Sequence, residues 1–207
     1  MNGDRMFIFL PNKDKVFEKF FLLRYTEKER KSLRQYTVKY DIESYAKPGT
    51  DISQIPILAN EDADEISDHI SKTIRAASND FRMSFGLTGE PNLDWIEKFD
   101  KYFTKKRVIG LLNKSDPRVA SNEFFVTCCA FGALLGKVLI DMNESVNWLY
   151  DCPFWESGLY DSKSGCRINI FYWAVKKFSN YGIDDGYRAK IIACSEFINN
   201  GGFNRSL

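Results

Sequence analysis

The chain has 207 residues, 44% hydrophobic and 28% charged, a length that fits one large domain or two small ones with enough apolar material for a substantial core. Its 29 basic and 28 acidic residues nearly cancel, which argues against work dominated by neutralising a phosphate backbone and makes nucleic acid a poor default partner. Five cysteines, an odd number without a CxxC pair or a Cys/His cluster, indicate neither a disulfide framework nor a zinc site and fit reduced thiols in a cytoplasmic setting.

In chain order, Arg5 to Leu10 reads as a short strand, its apolar run too short for the core of an export signal. Lys13 to Leu23 places Val16, Phe17, Phe20, Phe21 and Leu23 near helical spacing. Thr26 with Glu29 has the capping-box pattern, so a second helix should start near Glu27, its charge run EKERKSLR forming a solvated face. Tyr36 to Tyr45 alternates weakly and reads as extended, and residues 46–59, with two prolines and a glycine, are the best candidate for an internal boundary. From Asn60 an amphipathic helix sets Ala63, Ile66, Ile70, Ile74 and Ala77 on one stripe. A loop over Met83 to Pro91 follows, then a helix from Leu93 that closes on Lys105, Lys106 and Arg107 near its C-terminal end.

Asp116-Pro117 reads as the start of a long buried helix over Phe124 to Ile140, whose uncharged part ends at Lys137, short of the roughly 20 residues of a membrane span. Gly132 and Gly136 in that helix would let another element approach its backbone. Val146 to Asp151, Ser157 to Asp161 and Cys166 to Ile170 read as strands, with Gly165 supplying a left-handed residue in the hairpin turn. Phe171 to Ser179 returns to helix, and Asp184 is placed to cap a last helix carrying Tyr187, Ile191, Cys194 and Ile198. The fold class expected is α+β: a mostly helical single domain with a central buried helix and a small antiparallel hairpin or sheet in its C-terminal third.

Residues with catalytic chemistry are sparse. The one histidine, His69, sits on an ordinary amphipathic helix beside Asp62, Asp64 and Asp68, residues that a helix N-terminus and its solvent face favour without any metal. Cys128-Cys129 falls in the most apolar stretch, where thiols pack as small hydrophobes. No phosphate-binding glycine loop, nucleophile elbow or HExxH helix occurs, so no cofactor is expected. Carboxylates remain for an enzyme of unfamiliar type: Asp151, Glu156, Asp161, Asp184 and Asp185, with Asp161 and Asp184 the pair for acid/base work.

The stronger signal is aromatic. Trp148, Tyr150, Phe154, Trp155, Tyr160, Tyr172 and Trp173 crowd the β-rich region, and the CPFWES loop should hold Phe154 and Trp155 near the surface beside acidic residues, with packing beneath the loop the favoured alternative for at least one of the two. Asp151, Phe154, Trp155, Glu156, Tyr160 and Asp161 thus form the expected protein-binding surface, hydrophobic anchors with an acidic rim. On that reading, Trp155→Ala with Glu156→Lys would spare the fold and weaken partner binding by at least about 2 kcal/mol. The succession FGALLGKVLI, WLYDCPFWESGLYD and GCRINIFYWAVKKFSNYGIDDGYRAKI, with its Asn169-x-Phe171-x-Trp173 signature, resembles an uncharacterised bacterial domain family over roughly the last 80 residues. Small domains of this kind resemble immunity proteins of interbacterial toxin systems. The resemblance implies a binding surface for a cognate toxin domain and implies no catalytic residue; the cytoplasmic setting is the reading from the cysteines, and the absence of a membrane partner that from the short uncharged run.

Overall fold

A computed structural model describes residues 7–31, 33–34, 38–55 and 63–204. Eight α-helices and a four-stranded antiparallel sheet run through these residues, a mostly helical α+β fold. Helix α1 (Lys13–Phe20) is capped by Asn12, whose side chain accepts from the Lys15 N–H, and it buries Val16, Phe17 and Phe20. After a tight turn at Leu22–Arg24, α2 (Glu27–Arg30) carries both halves of the Thr26/Glu29 capping box. The strand expected over residues 5–10 does not form across its described part. Instead the carboxamide of Asn113 bonds both the N–H (2.6 Å) and the C=O (2.8 Å) of Phe7, taking the place of a neighbouring strand.

Helix α3 (Ala63–Phe85) buries Ile66, Ile70 and Ala77 as the stripe requires and runs into the expected loop; its expected start at Asn60 lies outside the described residues. Helix α4 (Leu93–Tyr102) is capped by Asn92. The cations at 105 to 107 do not trail α4 but open a further helix, α5 (Lys105–Lys114), whose buried Val108, Leu111 and Leu112 outweigh an N-terminal charge of the wrong sign for the dipole. Helix α6 (Glu123–Met142) begins beyond Asp116-Pro117, where Asn122 accepts from the Phe125 N–H, because Asp116 is spent on a local turn with Arg118. By length and composition α6 could cross a bilayer; here Phe131, Leu134, Leu135 and Val138 are all but fully buried and it is the centre of the core.

The sheet has the order β1-β4-β3-β2, with β1 at Ile42–Ser44, β2 at Val146–Leu149, β3 at Gly158–Asp161 and β4 at Cys166–Ile168. In register, Ile42 faces Ile168, Leu159 faces Ile168 from the other side, and Trp148 faces Leu159. Gly165 turns β3 into β4 at φ +69°, and a side chain there would lie 2.2 Å from the Ala46 carbonyl oxygen. The backbone of 45–49 is sewn onto this turn, since Tyr45 and Ala46 both donate to the Gly165 carbonyl and Gly49 donates to Ser162. Among the described residues the main hydrophobic core draws on the chain from Leu10 to Ile198, with smaller clusters around Tyr160 and around Leu134.

Helices α7 (Ile170–Lys177) and α8 (Tyr187–Asn199) complete the fold. The Asn169-x-Phe171-x-Trp173 signature has a structural explanation: Asn169 donates to the Tyr40 carbonyl, Trp173 donates through its indole N–H to the Asp41 carbonyl, and Phe171 packs on Gly132. Asp184 is exposed and does not cap α8; Asp100 of α4 reaches across to accept from the Tyr187 N–H at 2.7 Å.

Asp41 also takes two ion pairs, from Lys176 at 2.5 Å and Lys190 at 2.8 Å. Burial pushes its carboxyl up, but the two ammonium groups outweigh this and hold it below the usual carboxylate value. The unfolded chain therefore binds that proton first as pH falls, so the stabilisation is complete above about pH 4 and is lost as pH drops through the lower folded value. Asp41→Asn is expected to lower the urea midpoint at neutral pH and to flatten its fall below about pH 4. An acid limb as steep as that of the wild type would rule this pair out as a contributor.

Candidate functional site

The expected binding loop lies between β2 and β3 and is closed at its base. The Asp151 N–H donates to Ser157 Oγ at 2.9 Å, and that hydroxyl donates back to the Asp151 carbonyl. Between them one tight helical turn, Phe154–Glu156, sends three consecutive side chains in different directions because each step rotates them by about a third of a circle. Trp155 goes inward against Phe125 and Tyr25, with edge-on ring centroids 5.1 and 5.7 Å away. Glu156 turns to Tyr25, whose hydroxyl donates to its Oε1. Phe154, half-buried, lies over His69 of α3 with centroids 4.2 Å apart.

These positions correct the expectation of an exposed aromatic and acidic surface. Trp155 is 8% exposed, Glu156 2%, and Tyr160 and Asp161 are fully buried. Tyr160 packs with Ile55 and Leu149 and donates to the Thr50 carbonyl. Asp161 is consumed by the hairpin turn, where its Oδ2 accepts from both the backbone and the hydroxyl of Ser164. Of the acid/base pair, Asp161 is fully buried whereas Asp184 is exposed. The physical reason for the miss is that the loop folds back onto the α1–α2 segment, whose aromatic rings supply an apolar slot for Trp155.

Asp151 and Glu156 are brought together, through buried Arg167 of β4. Its Nη2 donates to the Glu156 carbonyl at 2.6 Å and stands 3.9 Å from Asp151 Oδ2, while its Nε donates to Asn169. Burial raises the Asp151 carboxyl, and Arg167 only partly offsets that. Burial also raises the Tyr25 phenol, reinforced by Glu156, so it stays a hydrogen-bond donor. This cluster is a structural tie between β4, the loop and the α1–α2 segment.

What reaches the surface is an open groove of about 380 Å³ beside Phe154. Helix α3 supplies His69 and Thr73, α6 supplies Phe125, Val126 and Cys129, and the loop supplies Phe154 and Trp155, with Arg24 and Ala120 completing the wall. Val126 is 49% exposed although it lies in the most apolar helix of the chain. No signal in the sequence marks it, because a helix that is apolar on every side has no pattern from which an uncovered valine can be read. Burial pushes the Cys129 thiol well up, which disfavours its thiolate. Among the described residues no cluster of histidine, cysteine and carboxylate side chains could hold a metal ion. Comparison of the chain with protein-family models, curated proteins and solved structures found no match.

Proposed function

We propose that this protein works by binding a protein partner, that the groove beside Phe154 is its recognition surface, and that the partner is a toxin domain which it holds inactive as an immunity protein does. The observation that carries the binding reading is the make-up of that groove: a half-exposed valine and a half-buried phenylalanine form an apolar surface beside Arg24 and His69. The acidic candidates of the loop support it from the other side. Asp151, Glu156 and Asp161 are each engaged within the fold, and so are not held in readiness for a substrate. The toxin as partner rests on the resemblance of the C-terminal region alone.

Val126→Glu tests the groove directly. The position is open to solvent and near the start of α6, where an acidic residue suits the helix dipole, so its stability is expected to stay within about 0.5 kcal/mol of the wild type. Affinity for the partner recovered from the source cells is expected to fall by at least about 2 kcal/mol. A folded Val126→Glu protein that holds the partner as tightly as the wild type would remove the groove from the interface.

A further inference from the structure

The groove also carries a charge pattern that narrows what can sit in it, and this inference rests on the protein-binding reading. The guanidinium carbon of Arg24 lies over the Phe125 ring, 4.0 Å from its centroid, with Nε donating to the Phe20 carbonyl and Nη2 to that of Val119. Among the described residues no carboxylate pairs with it. That sets it apart from the buried cations of the fold, since Arg167, Lys176 and Lys177 each stand within 4 Å of an aspartate, at 3.9, 2.5 and 2.9 Å. A half-buried guanidinium without a counter-ion is costly, and burial accordingly pulls its pKa below the ordinary arginine value. None of the residues lining the groove is an aspartate or glutamate. On another part of the wall the exposed His69 ring offers a further N–H, while the Thr73 hydroxyl is spent on the His69 carbonyl.

We propose that the occupant is a segment of the protein partner that inserts one large apolar side chain with a carboxylate next to it. The side chain covers Val126 and Phe154, and the carboxylate pairs with Arg24. The pairing supplies the missing counter-ion in a place partly shielded from water, where a charge-assisted bond to a planar guanidinium is strong. An apolar segment bearing a lysine or arginine at the same point would instead set like charges together and be rejected.

The test uses two small probes on the isotope-labelled full chain, followed by NMR: 3-phenylpropionate, and its neutral amide of the same shape. The acid is expected to shift the signals of Val126, His69 and Phe154 saturably and to bind about tenfold more tightly than the amide, the ratio one charge-assisted hydrogen bond provides. In Arg24→Gln the two probes should bind alike. Equal binding of acid and amide by the wild type, or shifts confined to other residues, would overturn the proposal. That wild-type ratio needs no variant and stands whatever Arg24→Gln does to the fold. The two readings also fail separately. If Val126→Glu loses the partner while acid and amide bind alike, protein binding survives and the carboxylate pairing falls. If the acid is preferred while Val126→Glu keeps the partner, the groove takes a free small carboxylic acid and the docked segment is overturned.

Discussion

Replacing Trp155 by alanine together with Glu156 by lysine is expected to leave the chain largely unfolded, the opposite of what an exposed loop would give. Trp155 is 8% exposed and sits in a ring of aromatic edges from Phe21, Tyr25 and Phe125, so its truncation alone should cost about 3–5 kcal/mol. Glu156 is 2% exposed, and Tyr25 donates its hydroxyl to the carboxyl group. A lysine there removes that acceptor and places an ammonium group in the interior beside Arg167, a change of about 3–5 kcal/mol when no partner is present. The two effects share neighbours and will not simply add, yet together they approach the roughly 5–15 kcal/mol that holds a typical domain. Circular dichroism and urea unfolding of the two single variants and the pair decide it. A double variant with a near-native midpoint would mean that the loop is not packed into the interior. For the same reason these residues cannot serve as interface probes, and Val126→Glu takes their place.

Gly132→Leu is the second large effect expected, in the face where α6 meets α7. A side-chain carbon at 132 would lie 2.6 Å from Phe171 Cδ1 and 3.2 Å from Phe171 Cα, so relief by a ring rotation is blocked by the α7 backbone itself. Overpacking commonly costs about 1–3 kcal/mol, and a clash with backbone belongs at or above the upper end of that range. Leu135→Ala, at a position with no exposed surface, is expected to cost about 2–5 kcal/mol by the opposite route, lost burial plus a residual cavity. Denaturation midpoints of both variants read the result directly. Unmoved midpoints for both would show that α6 is not the centre of the core.

Signals carried by a few adjacent residues are legible in the amino-acid order alone. The Thr26/Glu29 capping box, the stripe Ile66–Ile70–Ala77, and Gly165 at the hairpin turn all appear where the residues place them. Each depends on chemistry within a turn or two of chain: a hydroxyl and a carboxylate three residues apart, a period near 3.6, or a residue without a side chain where φ is positive. The central burial of the 124–140 segment is readable for a related reason, since so apolar a run has nowhere else to go in a folded globular chain.

The misses share the opposite property. Lys105 to Arg107 have the composition of a helix tail and begin another helix, because three apolar residues further on find cover in the tertiary fold. The cap of α8 comes from Asp100, far off in sequence, and not from nearby Asp184. Trp155, Glu156 and Tyr160 carry the composition of an interface but are covered by the α1–α2 segment, Phe125 of α6 and the 45–55 segment, all remote from them in sequence.

The sequence by itself therefore determined the helices with one apolar face, their local caps, the hairpin and the α+β class, since these follow from short-range periodicity and backbone stereochemistry. Only the tertiary structure decided which aromatic and charged side chains lie inside and which line the groove. Burial depends on what arrives from a distant part of the chain, and a residue's neighbours in sequence carry no record of it.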